Sequence, residues 1–339
     1  MLGAGAALAL PSIARAQSLP KQPPPEVLTP AGPLAIEVNA RAIASFDMRD
    51  RSAVRFGDLQ FRSGLVLTSS YRGFGGLSAL RLDPRGERFT AISDKGAWFA
   101  GRIVMRGREM TGLADVETAP LLGADGRPIT ARGWFDSESL AFDGGTAYVG
   151  LERANQILRF DFGREGVLAR GQPIALPPSL RKLPFNRGLE SLVVLRKGPL
   201  SGALLAISER GLDSQGHIIG ALIGGPKPGA LGVRRSADYD VSDAALLPSG
   251  DLLLLERKFA WLGGVGIRIR RIALSAIAPG AVLDGPSIFD ADLGHEIDNL
   301  EGLDVHVTAE GDTVLTMISD DNFSMLQRTL LLQFTLQEP

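Results

Sequence analysis

The sequence predicts an all-β fold and, within that class, a single β-propeller with five motif-bearing blades. Three observations predict it. Five segments share one residue pattern, their anchor residues lie 52 to 60 positions apart, and long amphipathic helical patterns are nearly absent. A period of this size is typical of blades with four short strands. A parallel α/β fold would need helical segments between its strands.

Each repeat begins with a small or acidic residue and continues through an apolar strand, a glycine-containing turn, a second apolar strand and a charged cluster. The anchors of the five repeats are Ser78, Glu138, Glu190, Asp243 and Glu301. The short apolar runs 147–151 and 252–255 follow Gly-Gly and Ser-Gly turns. This combination is typical of β-hairpins, as the propeller requires.

Chain length leaves two blade counts open. Motif counting gives five blades, whereas the roughly 305 residues after the linker, divided by a period of about 50, allow six as the alternative. We expect strands from both termini to close the ring, because closure removes exposed strand edges. Segment 61–68 or segment 36–46 would then lie beside 329–336.

The composition is that of a soluble globular protein and excludes several function classes. The 36 basic residues nearly balance 38 acidic ones, so the bulk charge gives no reason to expect nucleic acid as a partner. The chain has no cysteine, which excludes disulfides, thiolate metal sites and a cysteine nucleophile. Its three histidines are too far apart for a histidine metal motif. Neither a Gly-x-Ser-x-Gly elbow nor a phosphate-binding Walker loop occurs.

The N-terminal segment predicts export. Residues 1–16 resemble a signal peptide that ends in Ala14-Arg15-Ala16, although its usual basic start is missing and a longer leader could precede it. Residues 17–33 are rich in proline and predict an extended linker. Residues 34–339 would then form the propeller domain, without a membrane span after signal cleavage, in the periplasm or outside the cell.

Strand direction predicts that acidic residues meet at one mouth of the propeller. The first strand of each blade lines the channel and the second runs antiparallel to it, so the start of the first and the end of the second lie at the same mouth. The predicted neighbours are Glu138 with Glu152, Glu190 with Glu209, Asp243 with Glu256, Glu301 with Asp320 and Asp321, and Ser78 with Asp94.

Carboxylates packed this closely raise one another's pKa or require a counter-cation. Ca²⁺ is the predicted cofactor, because it accepts about six to eight oxygen ligands in flexible geometry. The lack of cysteine and of clustered histidine disfavours zinc and copper. The predicted metal ligands are Glu138, Glu190, Asp243, Glu301 and Asp320.

Besides a metal ion, basic residues that follow the second strands would supply positive charge at the mouth. The residues predicted to bind the anionic part of a substrate are Arg153, Arg210, Arg257 and Lys95. A planar guanidinium suits a phosphate group. The alternative is that the pairs Glu152-Arg153 and Glu209-Arg210 are structural and link blades without binding a ligand.

Five stretches of sequence between residues 74 and 336 carry a family resemblance. They read FGGLSAL with ISDKGAWF, DSESLAFDGGTAYVGLERANQILRFD, NRGLESL with ISERG, SDAALLPSGDLLLLERKF, and IDNLEGLDVH with ISDDNF. The sequence resembles the phytase-like family described as "esterase-like activity of phytase", which consists of exported proteobacterial proteins. The resemblance implies a propeller, export and hydrolysis of phosphoric esters. The Asp-x-Asp-Asp-Pro-Ala signature of alkaline propeller phytases does not occur.

These observations predict a metal-dependent hydrolase that acts on a small anionic ester, a phosphate or another ester, at the propeller rim. Its catalytic residues would be Glu138, Glu190 and Glu301. Two alternatives stay open. One is a non-catalytic periplasmic propeller that binds a ligand or a protein, and the other is a lactonase-like enzyme that uses a central Ca²⁺.

Overall fold

The computed structural model describes residues 30–184, 187–260 and 264–337. The predicted signal peptide and residues 17–29 of the predicted linker lie outside the described residues. The described helices are short. They are α1 (Phe162–Glu165), α2 (Pro178–Arg181) and the 3-10 turns Ile129–Arg132, Gly166–Leu168, Gly198–Leu200 and Leu274–Ala276. Within these ranges, helices of the length and apolar character that crossing a bilayer demands are not found.

Strands make up most of the described chain. The first nine are β1 (Leu34–Ala35), β2 (Asn39–Ile43), β3 (Arg55–Phe56), β4 (Leu59–Thr68), β5 (Leu77–Leu82), β6 (Arg88–Ser93), β7 (Ala97–Arg106), β8 (Glu109–Pro120) and β9 (Leu122–Gly123). The next eight are β10 (Ser137–Asp143), β11 (Thr146–Leu151), β12 (Gln156–Phe160), β13 (Arg170–Pro173), β14 (Leu189–Val194), β15 (Leu204–Leu212), β16 (Ile218–Ile223) and β17 (Gly229–Val233). The last eight are β18 (Asp240–Leu246), β19 (Leu252–Ala260), β20 (Gly264–Ile272), β21 (Val282–Leu283), β22 (Ser287–Asp292), β23 (Asn299–Val307), β24 (Thr313–Asp320) and β25 (Thr329–Leu336).

These strands form five sheets, which we call blades 1 to 5. From the inside outwards, the order is β5-β6-β7-β8-β1 in blade 1, β10-β11-β12-β13-β9 in blade 2, β14-β15-β16-β17-β21 in blade 3, β18-β19-β20-β22 in blade 4 and β23-β24-β25-β4-β2 in blade 5. The innermost strands contact one another in the closed cycle β5-β10-β14-β18-β23-β5. The prediction of a five-bladed propeller is confirmed, and the six-bladed alternative is wrong.

Blade 5 joins the two ends of the chain. Strand β4, which contains all of segment 61–68, pairs with the C-terminal strand β25, so that Leu65 lies opposite Leu331. Strand β2, from segment 36–46, pairs with β4 on its other side. The predicted closure is confirmed, and it uses both N-terminal segments because β4 has two edges to pair.

Apolar side chains between neighbouring blades form the core. The indole of Trp98 in blade 1 meets the ring of Phe160 in blade 2, with centroids 5.3 Å apart. Phe289 of blade 4 and Phe334 of blade 5 meet at 5.2 Å. All four side chains are buried, and each contributes about 1.5–3 kcal/mol or more to stability. This packing holds the blades in register around the channel.

An ion pair crosses the channel below the mouth where the acidic residues lie. Arg81 of β5 donates from both terminal nitrogens to the two carboxylate oxygens of Asp243 in β18, at 2.7 and 2.9 Å. The same guanidinium donates to the carbonyl oxygens of Leu192 in blade 3 and Leu303 in blade 5. Both charged side chains are buried, so each depends on the other for charge neutralisation.

Replacement of Arg81 by Ala is expected to lower the free energy of unfolding by about 3–5 kcal/mol, because it leaves the Asp243 carboxylate buried without a counter-charge. Urea unfolding followed by fluorescence measures the change. Arg51→Ala, at an exposed position, is the control and should change stability by less than about 0.5 kcal/mol. In an Arg81→Met background, Asp243→Asn should recover part of the lost stability, because it removes the uncompensated charge. A loss below about 1 kcal/mol in Arg81→Ala would contradict this role of the ion pair.

Candidate functional site

The same β-bulge occurs near the start of the innermost strand of every blade. In each blade, the pairing of the first and second strands skips one residue. The skipped residues are Ser78, Glu138, Glu190, Ser242 and Glu301. A bulge leaves its extra residue outside the ladder and turns the side chain. These five residues therefore occupy equivalent positions, and we call them the bulge ring.

The second strands contribute a second set of equivalent residues at the same mouth. Backbone bonds place Asp94 opposite Gly76 and Glu209 opposite Gly188, and the register places Arg257 opposite Asp240. The full set, which we call the second-strand ring, is Asp94, Glu152, Glu209, Arg257 and Asp320. Together the two rings bring seven carboxylates from blades 1, 2, 3 and 5 to one mouth, which we call the carboxylate mouth.

Blade 4 departs from the sequence-based prediction. Asp243 is not the residue equivalent to Glu190, because the bulge falls on Ser242 and a shift of one residue turns a strand side chain away. Asp243 lies one step further along the channel, where Arg81 occupies both of its oxygens. The prediction that Asp243 is a metal ligand at the mouth is therefore wrong.

Glu256 also lies outside the carboxylate mouth. Its buried carboxylate accepts hydrogen bonds from Arg268 at 2.8 Å and from Arg270 at 2.6 and 2.8 Å, on the neighbouring strand β20. The predicted contact between Asp243 and Glu256 is wrong, since Asp243 pairs with Leu255 in the ladder. Blade 4 supplies a hydroxyl and a guanidinium where the other blades supply mainly acids.

Three carboxylates approach one another closely enough to share an ion. Glu152, Glu190 and Glu209, from blades 2 and 3, each offer one oxygen within 4.8 Å of the other two. Burial, then the nearby Glu138, raises the pKa of Glu190 well above its ordinary value. Burial also raises the pKa of Glu152, although the backbone N–H of Gly188 donates to that carboxylate at 2.8 Å. We call these three residues the glutamate cluster.

Arg257 is a half-buried cation that contacts the glutamate cluster. Its terminal nitrogens lie 3.3 Å from a Glu209 oxygen and 4.0 Å from a Glu190 oxygen. It also forms an ion pair with Glu301, whose same oxygen accepts from the Asn299 amide. One guanidinium thus offsets part of the charge of three carboxylates.

A second group of acids lies on the other side of the mouth. Burial, then Asp94 and Asp320, raises the pKa of Glu138 well above its ordinary value. Burial, then Asp94, raises the pKa of Asp320 to about 7. Both shifts favour the protonated forms, because the charged forms are desolvated and repel one another.

The predicted substrate-binding cations lie at the outer edge of the mouth, with the exception of Arg257. Lys95 forms an ion pair with Asp94, and Arg153 forms one with Asp136. Arg210 pairs with Asp240 of the next blade at 3.1 Å. Each of the three side chains is more than a third exposed. A ligand at the mouth could therefore reach them from solvent.

The arrangement explains the repeated Glu-Arg pairs in the sequence. Glu152 and Arg153 lie in the turn that follows β11. One oxygen of Glu152 approaches Glu190 and Glu209, whereas Arg153 forms an ion pair with Asp136. The structural alternative also has support, because Glu152 accepts a hydrogen bond from the backbone N–H of Gly188 in blade 3 at 2.8 Å, while one of its oxygens lies within 4.8 Å of Glu190 and Glu209.

Sequence reasoning placed Glu152, Glu209 and Asp94 near the mouth but left them out of the metal-binding set. Glu152 and Arg153 lie in the turn after β11, where strand alternation does not apply, so the residue pattern gave no signal that separates them. The sequence-based prediction also chose the wrong anchor residue for blade 4, Asp243 in place of Ser242. In blades 3 and 5 the bulged residue follows a leucine, and an alignment of Val241 with those leucines would have selected Ser242.

The chemistry of the carboxylate mouth fits a hard divalent cation. The glutamate cluster offers oxygen ligands alone, which Ca²⁺ and Mg²⁺ prefer. Ser242 of the bulge ring has a buried hydroxyl oxygen without a hydrogen-bond partner in the described part of the chain. Buried acids with raised pKa values are also groups that a bound cation would stabilise in their charged forms.

Comparison with known protein families shows to which family the chain belongs. The family model of phytase-like proteins, described as "esterase-like activity of phytase", matches residues 72–323. The chain belongs to this family. The match includes the innermost strands of all five blades of this phytase-like protein and confirms the resemblance noted in the sequence. Among curated proteins, the search finds no match.

Solved structures are similar only at low TM-scores. U3-55K has 10% identity and a TM-score of 0.39, with 76% of this chain and 95% of that chain covered. Myxococcus xanthus glutaminyl cyclase has 12% identity and a TM-score of 0.37, with 78% and 92% covered. A putative oxidoreductase (glucose dehydrogenase) from Thermus thermophilus has 16% identity and a TM-score of 0.33, with 87% and 100% covered. Values this low carry no argument about function.

Removal of the Asp320 charge is expected to flatten the pH dependence of stability in the metal-free protein. The folded protein keeps a proton on Asp320 up to about pH 7, whereas the unfolded chain loses it near pH 4. This group therefore stabilises the folded state below about pH 4, and the contribution is lost as the pH rises to 7, by up to about 1.4 kcal/mol per pH unit. Urea unfolding at pH 5 and pH 8, after removal of divalent cations, compares wild type with Asp320→Asn.

The exposed turn variant Asp143→Asn should keep the wild-type difference between the two pH values. If Asp320→Asn keeps it as well, the buried and protonated state of Asp320 is refuted.

Proposed function

We propose that this phytase-like protein is a hydrolase that uses a divalent cation, bound at the carboxylate mouth, to cleave a small anionic ester. One observation carries the proposal: three glutamates from two blades bring carboxylate oxygens within 4.8 Å of one another. Membership of a family described by esterase-like activity supports hydrolysis. The signal-peptide pattern of residues 1–16 supports action in the periplasm or outside the cell.

The glutamate cluster would hold the cation, for which Ca²⁺ is our choice because carboxylates in a flexible arrangement suit it. A bound divalent cation supplies Lewis-acid polarisation of the ester and makes a nearby water more acidic. Ser242 lies in the same bulge ring as Glu190, and its hydroxyl is a further oxygen donor for the cation or for a water bound to it.

Glu138 is suited to proton transfer. Burial, then Asp94 and Asp320, raises the pKa of its carboxyl group well above the ordinary value. When water adds to the ester and the bond to the leaving alcohol breaks, the leaving oxygen needs a proton. Glu138 can donate that proton, which is the task of a general acid whose pKa is raised towards the working pH.

Positive side chains would orient the anionic part of the substrate. Arg257 reaches furthest into the mouth, and its guanidinium can exchange a carboxylate for a phosphate oxygen. Arg153, Arg210 and Lys95 stand at the edge, where they would attract an anion from solvent. This charge distribution favours small anionic esters over neutral ones.

The test is hydrolysis of 4-nitrophenyl phosphate, 4-nitrophenyl acetate and a lactone, before and after removal of divalent cations. We expect turnover of at least one substrate, its loss on chelation and its return with Ca²⁺. Glu190→Gln should raise the Ca²⁺ concentration for half-maximal activity by about tenfold or more, because it removes one charged ligand.

The matched control is Glu310→Gln, which makes the same change in an exposed turn of blade 5 and should behave as wild type. Turnover that survives exhaustive chelation unchanged would refute the role of the metal. Preferential turnover of the lactone would favour the lactonase-like alternative.

Exposed apolar side chains favour a second candidate, a propeller that binds a partner without catalysis. Among the described large apolar residues, the most exposed are Met325 (102%), Leu326 (94%), Phe259 (79%) and Leu293 (58%). Met325 and Leu326 follow β24 in blade 5, Phe259 lies in β19, and Leu293 follows β22 in blade 4. Apolar groups clustered at a polar rim are typical of interaction sites. Retained Ca²⁺ binding with no turnover of any ester or lactone would favour this function.

A further inference from the structure

A cavity of about 720 Å³ opens at the mouth opposite to the carboxylates. The ends of the five innermost strands and the turns that follow them form its walls. A volume of this size lies within the range of small-molecule sites, roughly 300–1,000 Å³. This cavity is remote from the acidic residues of the other mouth, and we call it the far cavity.

The ion pair between Arg81 and Asp243 separates the far cavity from the carboxylate mouth. Arg81 lines the far cavity, and its guanidinium reaches from blade 1 to carbonyl oxygens of blades 3 and 5. A molecule in the far cavity therefore meets the guanidinium before it could meet a mouth carboxylate. The two mouths are chemically distinct sites.

The exposed charged side chains that line the far cavity are all cations. Arg88, Arg196 and Lys197 line it, are exposed, and form no ion pair with any described residue. Arg196 donates one hydrogen bond to the carbonyl oxygen of Phe142, and Lys197 donates one to the carbonyl oxygen of Pro248. These bonds hold the two side chains over the cavity. Their other N–H groups are available to an anion.

The acidic residues of the far cavity are already engaged by the protein. Asp83 accepts the backbone N–H groups of Glu87 and Arg88, at 2.8 and 3.1 Å. Asp304 accepts the backbone N–H of Leu82 at 2.6 Å. These bonds fix the carboxylates against the turn and the neighbouring strand, so they do not form pairs with the three exposed cations.

Apolar side chains complete the walls. Leu82, Phe142, Phe162, Leu246 and Val305 belong to the lining and come from four blades and from α1. A free phosphate ion would leave this apolar surface exposed to water, whereas an apolar or aromatic group would bury it. The lining therefore matches a molecule with two unlike parts.

We propose that the far cavity is a second ligand-binding site, which takes a small molecule composed of an anionic group and an apolar or aromatic body. The anionic group, a phosphate or a carboxylate, lies between Arg88, Arg196 and Lys197, and the body lies against the apolar walls. The site is independent of the proposed hydrolysis, because it uses neither a metal nor a mouth carboxylate.

Calorimetric titration tests this proposal with protein that has been freed of divalent cations on a chelating resin, so that anions are not attracted to the carboxylate mouth. The probes are phenyl phosphate and benzoate, with benzyl alcohol as the uncharged counterpart. We expect at least one anionic probe to bind, and benzyl alcohol to bind at least about tenfold more weakly.

Arg88→Glu and Arg196→Glu should each weaken binding of the anionic probe by about tenfold or more, because they place a like charge beside it. Arg51→Glu makes the same charge change at an exposed position outside the cavity and should bind as wild type. Circular dichroism verifies that each variant is folded. The proposal is overturned if neither anionic probe binds, if benzyl alcohol binds equally well, or if both cavity variants keep wild-type affinity.

Discussion

Mutual repulsion among buried carboxylates is the constraint on which the whole site depends. Seven acids from four blades meet at one mouth, where burial removes the water that would otherwise screen them. Protons and one guanidinium relieve part of this repulsion, as the raised pKa values of Glu138 and Asp320 and the contacts of Arg257 show. A bound divalent cation would relieve more of it, and would do so only where the chain brings oxygens close together.

The difference between blade 4 and the other blades gives the mouth its polarity. Four blades place a carboxylate in the second-strand ring, and blade 4 places Arg257 there. The guanidinium approaches Glu190, Glu209 and Glu301, while Glu138 and its acidic neighbours lie further from it. A single change of residue type in one repeat thus places one positive charge in a ring of negative ones, although the pKa of Glu190 beside it is still raised by burial and by Glu138.

The five sequence repeats were enough to predict the fold. The positions of individual site residues depend on local backbone geometry, which the repeats do not show. The period of the repeats and the glycine turns predicted the propeller, and the need to remove free edges predicted its closure. The convergence of Glu138, Glu190 and Glu301 followed from strand direction alone. The position of Asp243 did not, because a bulge shifts the strand by one residue and the sequence Ser242-Asp243 fits either register. The partner of Asp243 is Arg81, which lies more than 160 residues earlier in the chain and is not part of a recognisable motif.

That same ion pair gives the channel two ends with opposite character, one rich in acids and one lined by exposed cations. At the acidic end, cation binding by the carboxylates is tested most directly by the number of protons released when Ca²⁺ binds. Metal ligands must be deprotonated, so carboxyl groups that hold protons in the free protein have to release them. Calorimetry at about pH 6.5 in buffers of different ionisation enthalpy should give release of roughly one proton or more per Ca²⁺ bound, with less release as the pH rises. Absence of Ca²⁺ binding, or binding without any proton release at that pH, would contradict the account.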